Sequence, residues 1–331
     1  MAYFFIILTY FLFINYINVS SGRSGHSAAQ EAASSLADLL NPCRRVPTAS
    51  RQYRRLCRDK NMRSVLIDAS ILAKTYCQDQ FRYDPWNCSA THYNISFFDG
   101  GKVHRETALM YAMYSASLTH IVARACADGS LKRCWCAEQE KPEDTRRMWR
   151  WGICGENYNN GRRFTRRLFR RRNVRSDKLL YALVRHDTNV GIQAVGQMKS
   201  ICKCHGVSGS CTTKTCWKRL RPFKETSEQL RGSYYKAQLQ VPSNRASPRR
   251  RSKRPAPKGT LVYLEKSPDF CPATRGRVCR DPDNCGTLCC CRGYVSLSVL
   301  ETETCNCRWV SRSCKLSCSE CPVMRDVYIC K

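Results

Sequence analysis

The stretch Cys202-Lys-Cys204-His205-Gly206-Val207-Ser208-Gly209-Ser210-Cys211, continued by Thr-Thr-Lys-Thr-Cys216-Trp217, decides how this chain is read. Six residues separate Cys204 from Cys211, and Cys202 and Cys216 can close around that loop. Nested closure predicts a rigid hairpin with two disulfide rungs and Ser208 near its tip. Gly206 and Gly209 flank the serine, which permits unusual backbone dihedrals and leaves the hydroxyl unshielded. Such a loop is suited to presenting a hydroxyl to another protein. Other readings compete on residue type. Cysteine and histidine are zinc ligands, although an oxidising compartment would pair these thiols instead. Gly206-Val207-Ser208-Gly209-Ser210 approaches the G-x-S-x-G elbow of hydrolases but lacks its last glycine, and it sits between cysteines. A stapled surface turn with no special serine is the leading reading of these residues by themselves.

Working outward, the chain has 24 cysteines in 331 residues. Reducing compartments do not sustain many disulfides, so the expectation is an exported protein. Residues 1–22 agree: they are almost continuously apolar from Ala2 to Val19, then small at Ser20, Ser21 and Gly22, the pattern of a cleaved signal peptide. Asn87-Cys88-Ser89 and Asn94-Ile95-Ser96 are glycosylation sequons, so Asn87 and Asn94 are candidate glycan sites. Asn18 heads a third that would leave with the signal. Lys and Arg total 56 against 26 Asp and Glu, a net charge of +30. That excess demands a polyanionic neighbour, and export favours a sulfated glycan or anionic lipid over nucleic acid. Six histidines are scattered, and none pairs with a serine and an orienting acid. No catalytic residue and no metal site is therefore expected.

Three segments have helical periodicity: around 62–80 (Val65, Leu66, Ala69, Leu72, Ala73, Tyr76), 105–127 (Leu109, Ala112, Met113, Ala116, Val122, Ala125) and 177–199 (Leu179, Leu180, Leu183, Val184, Val190, Ala194, Val195, Met198). The second should stop at Asp128-Gly129. The densest basic run begins at Arg162, Arg163, Arg166, Arg167, Arg170, Arg171 and Arg172, a candidate glycan-binding surface. Residues 241–259 form a basic, proline-rich linker in which Arg251-Ser252-Lys253-Arg254 matches a dibasic cleavage pattern, a solvated loop being the favoured reading. Residues 260–331 hold 12 cysteines and ten basic against eight acidic residues. Segments such as 294–300 predict short hairpins tied by disulfides, because so small a module has a limited core.

The hairpin motif resembles the signature of Wnt proteins. Phe81-Arg-Tyr-Asp-Pro-Trp86-Asn87-Cys88, Cys134-Trp-Cys136, Trp149-Arg-Trp151-Gly152 and the closing Cys318-Ser-Glu-Cys321 through Cys330 follow in the same order, so the resemblance covers residues 43 to 331. It implies an α+β fold: a helical, saposin-like N-terminal domain (23–240) with disulfide-tied hairpins, and a small cysteine-rich β-hairpin domain (260–331). It implies a secreted, non-enzymatic ligand of the extracellular space and matrix. Ser208, not Ser210, would carry a palmitoleoyl ester, with no other cofactor. Gly206, Val207, Ser208 and Gly209 would enter the cysteine-rich domain of Frizzled receptors, and a fingertip of Trp309, Val310, Ser311 and Arg312 would touch its opposite side. Implied partners are low-density-lipoprotein-receptor-related or other co-receptors, the acyltransferase Porcupine, the carrier Wntless, the esterase Notum and heparan sulfate. Membrane association would run through the lipid.

The resemblance also proposes disulfides: Cys77–Cys88, Cys126–Cys134, Cys136–Cys154, Cys202–Cys216, Cys204–Cys211, Cys271–Cys290, Cys279–Cys285, Cys289–Cys330, Cys305–Cys321 and Cys307–Cys318, with Cys43–Cys57 plausible by proximity. The family commonly has adjacent, mutually bonded cysteines at the fingertip. Here Ser313 precedes Cys314, while Cys291 stands where the family usually has glycine. Loss of one partner and gain of another suggest a Cys291–Cys314 bond.

Overall fold

Residues spaced three and four apart bury one side of the three long helices, which form at the three segments where that spacing predicts them. The computed structural model describes residues 43, 51–88, 103–131, 134, 155–169, 178–212, 214–240, 259–279, 281–310 and 314–331. The signal segment 1–22, Asn94, Cys136, Cys154, Arg170, Arg171, Arg172, linker residues 241–258, Ser311 and Arg312 lie outside the described residues. Helices α1 (Arg51–Arg58), α2 (Lys60–Gln80) and α3 (Arg105–Ala127) open the described chain. On α2, Val65, Leu66, Ala69, Ala73 and Cys77 are buried; on α3, Leu109, Ala112, Met113, Ala116 and Val122 are. Helix α3 ends where expected, with Gly129 in the left-handed region at φ +77°.

Helix α5 (Lys178–Val195) stops before the predicted end at 199, a correction. Gly196 and Gln197 break the helix, and residues from Met198 are extended because they feed the disulfide-bonded hairpin. Helices α4 (Tyr158–Leu168) and α6 (Phe223–Tyr235) carried no obvious apolar stripe. In α4 the buried positions are Gly161, Thr165 and Leu168, a helical spacing in which only the last residue is a large apolar one. Its N-terminus is capped by the Asn157 side chain, which accepts from Asn160 N at 2.9 Å.

Two compact units interleave along the sequence. One holds α1, α2 to Leu72, α3 from Ser117, α4, and hairpin residues from Ser200 to Lys218. Within it a Cβ on Gly161 would stand 2.4 Å from the Thr119 carbonyl oxygen, so only glycine permits α3 and α4 to approach as they do. The Thr119 hydroxyl donates to Thr165 Oγ1 at 3.0 Å across that contact.

The other unit holds α2 from Ala73, α3 to Ala116, α5, α6 and the described chain from Arg219 onward. Gly191 on α5 meets Ala112 O on α3, where a Cβ would come within 2.0 Å. Phe81 packs edge-on against Trp86 and Tyr234 with centroids 5.2 and 5.0 Å apart. Arg277 pins that turn by donating to the backbone carbonyls of Arg82, Asp84 and Pro85 at 2.8–3.0 Å. Strand β3 (Gln238–Leu239) pairs in parallel with β4 (Val262–Tyr263). Buried Asp187 accepts from Val262 N at 3.0 Å, holding the incoming strand to α5.

The C-terminal sheet has the order β5-β7-β6, from β5 (Val278–Cys279), β6 (Tyr294–Val310) and β7 (Lys315–Cys330). Short hairpins were expected; one long antiparallel hairpin is found, with register running from Tyr294↔Cys330 to Val310↔Lys315 and a shift between Cys305 and Arg308. At its base the short helix α7 (Pro282–Leu288) joins a core of Cys279, Cys285, Leu288, Cys289 and Cys330. Cystine therefore supplies most of this module's buried apolar matter.

Disulfides join Cys43–Cys57, Cys77–Cys88, Cys126–Cys134, Cys202–Cys216, Cys204–Cys211, Cys271–Cys290, Cys279–Cys285, Cys289–Cys330, Cys305–Cys321 and Cys307–Cys318. The Cys291–Cys314 bond is not formed, and both residues are exposed. Cys291 precedes the first residue of β6 and Cys314 follows its last, with 17 strand residues between. That length spans roughly 50 Å, whereas a disulfide needs Cα atoms within roughly 7 Å. Among the described residues no helix is long and apolar enough to cross a membrane.

Candidate functional site: the Ser208 hairpin

Strands β1 (Met198–Cys204) and β2 (Lys214–Leu220) are hydrogen-bonded neighbours. The Cys202–Cys216 and Cys204–Cys211 bonds cross them, so the nested closure expected of this loop is the one that forms. The four sulfurs are thereby oxidised, which removes the thiolates a zinc ion would need. The Sγ atoms of Cys279, Cys289 and Cys330 also cluster within 4.8 Å, but each belongs to a disulfide as well.

A single turn of 3-10 helix, Val207–Gly209, closes the tip. Gly209 N donates to Gly206 O at 3.0 Å and Ser210 N to Val207 O at 3.1 Å, while Gly206 N donates to Ser210 O at 2.8 Å. These bonds place Ser208 at the turn's apex with φ 57° and ψ 26°. The unusual dihedrals thus fall on Ser208 itself and on Gly209, at φ +76°. Gly206 is extended, at φ −71° and ψ 171°, which any residue adopts. Its reason for being glycine is space: a Cβ there would lie 2.1 Å from Ser210 Oγ, 2.4 Å from Thr212 Oγ1 and 2.5 Å from Ser210 O. Residue types showed two serines in the loop; they did not show that the Ser210 hydroxyl, exposed like that of Ser208, is bonded to Thr212 and stands beside Gly206.

Ser208 is exposed, and its hydroxyl hydrogen-bonds to no described residue. Beside it Val207 is 89% exposed. An apolar side chain so placed on a stiff loop loses nothing by entering an apolar site. The serine stands on a 3-10 turn between two cross-linked strands, not on the strand-to-helix elbow of a hydrolase.

The second candidate surface is the end of β6. Trp309 is 62% exposed and Val310 is exposed too. Two cross-strand disulfides, Cys305–Cys321 and Cys307–Cys318, stiffen the hairpin just behind them. The third is α4, where Arg163, Arg166 and Arg167 are exposed at helical spacing and Arg162 is half-buried. Burial pushes the Tyr158 phenol up, and the nearby Arg162 and Arg166 charges pull it back down. Asn87 is half-buried at the end of the turn containing Trp86.

Comparison with known proteins agrees over nearly the whole chain. The Wnt family model matches residues 45–331. Wnt-4 of Drosophila melanogaster is 40% identical over 305 residues, an alignment covering 88% of this chain and 56% of that protein. The chain thus spans little more than half of that relative's length. Wnt-9b of Homo sapiens is 39% identical over 302 residues, covering 85% of this chain and 83% of its own. Among solved structures, a chain of human WLS in complex with WNT8A matches with a TM-score of 0.59 at 25% identity, covering 89% of this chain and 99% of that one. Sequence, disulfide framework and fold converge: the chain belongs to the Wnt family, whose members are secreted signalling ligands.

Proposed function

We propose that the chain is a palmitoleoylated Wnt ligand that engages the cysteine-rich domain of Frizzled receptors through Ser208 and, on the opposite side, through the Trp309–Arg312 fingertip. One observation carries this reading: an exposed serine in the left-handed conformation, its hydroxyl engaged by no described residue, at the apex of a doubly cross-linked hairpin. The protein performs no catalysis in this account. Its chemistry is supplied by Porcupine, which would add the acyl group, and Notum, which would remove it. A buried methylene contributes about 0.8 kcal/mol, so an acyl chain of about 16 carbons offers on the order of 10 kcal/mol at most. Exposed in water the same chain is a liability, hence the need for a carrier. Similarity to a chain of the WLS–WNT8A complex supports Wntless in that role.

One acyl chain gives only reversible membrane attachment. The exposed arginines of α4 supply an electrostatic second, to heparan sulfate of the extracellular matrix, and that component should weaken steeply with salt. Co-receptors of the low-density-lipoprotein-receptor-related type would complete the assembly, and Asn87 and Asn94 would carry glycans. The test is mass spectrometry of the secreted protein together with Ser208→Ala. The expected result is hydroxylamine-sensitive lipid on the Ser208 peptide of the unmodified sequence. The variant should show an intact disulfide map, no lipid and no receptor activation. Normal signalling by Ser208→Ala would overturn the reading.

A further inference from the structure

We propose that Thr212 is a selector: it holds the Ser210 hydroxyl down so that Ser208 alone is offered for acylation. The proposal rests on the acylation reading above and deepens it.

Two serines stand two residues apart on one loop, chemically equal in the sequence. Ser208, Ser210 and Thr212 are all exposed, but the hydrogen bonding of the two serines differs. Ser208 Oγ hydrogen-bonds to no described residue, and the left-handed backbone lifts it to the apex. Ser210 Oγ lies 3.1 Å from Thr212 Oγ1, a hydroxyl–hydroxyl hydrogen bond. Both hydroxyls are turned onto the Gly206 backbone, since a Cβ at 206 would meet them at 2.1 and 2.4 Å. The Ser210 backbone is held there from both sides, its carbonyl accepting from Gly206 N at 2.8 Å and its N–H donating to Val207 O at 3.1 Å. The missing Gly206 side chain is thus a slot that two hydroxyls occupy.

Acyl transfer requires a serine oxygen to attack the carbonyl carbon of a fatty acyl thioester held by a membrane acyltransferase. The O–C bond forms, the C–S bond breaks, and the hydroxyl proton ends on the coenzyme sulfur. Attack needs an unengaged oxygen and an open line for a bulky thioester. Ser208 has both. Ser210 would first have to leave Thr212 and rotate out of the Gly206 slot. Thr212 is therefore a positioning residue: it touches no acyl donor and acts through Ser210.

The test uses the full chain secreted from cells fed an alkyne-tagged fatty acid, with the acyl position read by fragmenting the hairpin peptide. In Ser208→Ala with Thr212 intact, no label is expected on Ser210. Ser208→Ala combined with Thr212→Val should raise Ser210 labelling about fivefold, the worth of about one net hydrogen bond. Thr212→Ala serves the same end if the valine variant is poorly secreted. Thr212→Ser, which keeps the hydroxyl, should return Ser210 to the unlabelled state, a rescue that a merely structural role would not give. Non-reducing mapping of Cys204–Cys211 in each variant shows that the loop has formed. Unlabelled Ser210 in the double variants, or labelled Ser210 with Thr212 intact, would overturn the selector. Absence of label from Ser208 in the unmodified sequence would instead overturn the acylation reading itself.

Discussion

Residues with the same name have opposite reasons for being where they are. Gly206 and Gly209 both flank Ser208, yet only Gly209 is left-handed, and a Cβ on it would meet nothing within 4 Å. Alanine at 209 therefore costs only the left-handed penalty, about 1–2 kcal/mol. Alanine at 206 drives a Cβ to 2.5 Å from the Ser210 carbonyl oxygen, a backbone atom that cannot swing aside. Gly206→Ala is expected to lower secretion and Cys204–Cys211 formation more than Gly209→Ala, measured by non-reducing peptide mapping; equal effects would contradict the packing argument. Asp187 makes a second case. It is buried, one carboxyl oxygen accepts from Val262 N, and Oδ2 has no hydrogen-bond partner among the described residues. Burial raises its pKa well above the usual carboxylate value, against the smaller pull of that hydrogen bond. The native state thus binds a proton that the unfolded chain releases near pH 4. Its contribution to stability is full below that pH and is lost as pH rises toward the native pKa. Asp187→Asn keeps an acceptor for Val262 N and should flatten the fall in urea midpoint above pH 4; an unchanged pH profile would exclude Asp187 as its source.

At the level of elements, periodicity succeeded where side chains were apolar and failed where they were not. Helices α2 and α3 were legible because Leu, Val, Met and Ala mark their buried stripes. Helix α4 was not, because Gly161 and Thr165 share the packing with a single leucine, Leu168, while four arginines lie between them. The long β6–β7 hairpin was underestimated for a related reason. Its residues are exposed along most of both strands, and clear apolar–polar alternation in β6 is confined to Val295–Val299, much shorter than the strand. Cross-strand disulfides and the ladder hold it instead. Such a stiff ribbon carries Trp309 far from the cystine core at its base, and an exposed tryptophan on a rigid arm is a strong candidate anchor. Trp309→Ala should weaken receptor binding by about 2 kcal/mol, roughly thirtyfold, with Ser208 acylation unchanged. Binding by surface plasmon resonance checks this, and unchanged affinity would remove Trp309 from the interface.

For the molecule as a whole, the cysteine framework sets what is legible. Non-reducing peptide mapping should find the ten bonds among the described residues and no link between the peptides carrying Cys291 and Cys314; such a link would show that the long hairpin folds back. The cysteine count, the apolar leader expected at 1–22 and the hairpin motif were enough to indicate export and a doubly closed loop with Ser208 at its tip. Local chemistry sufficed there, because a thiol's fate follows from its compartment and two nested loops of a few residues each have few ways to close. The net charge of +30 likewise followed from composition, but only α4 shows which arginines share an exposed face. Other features are tertiary. Which glycine yields conformation and which yields space depends on atoms of Ser210 and Thr212 that stand where a Cβ of Gly206 would go. The fate of Cys291 and Cys314 depends on the length of a strand whose registry is set by its partner. Sequence spacing counts residues along the chain, whereas a disulfide, a slot or a buried carboxyl is decided by distances through space. Those distances exist only once the backbone has paired and packed.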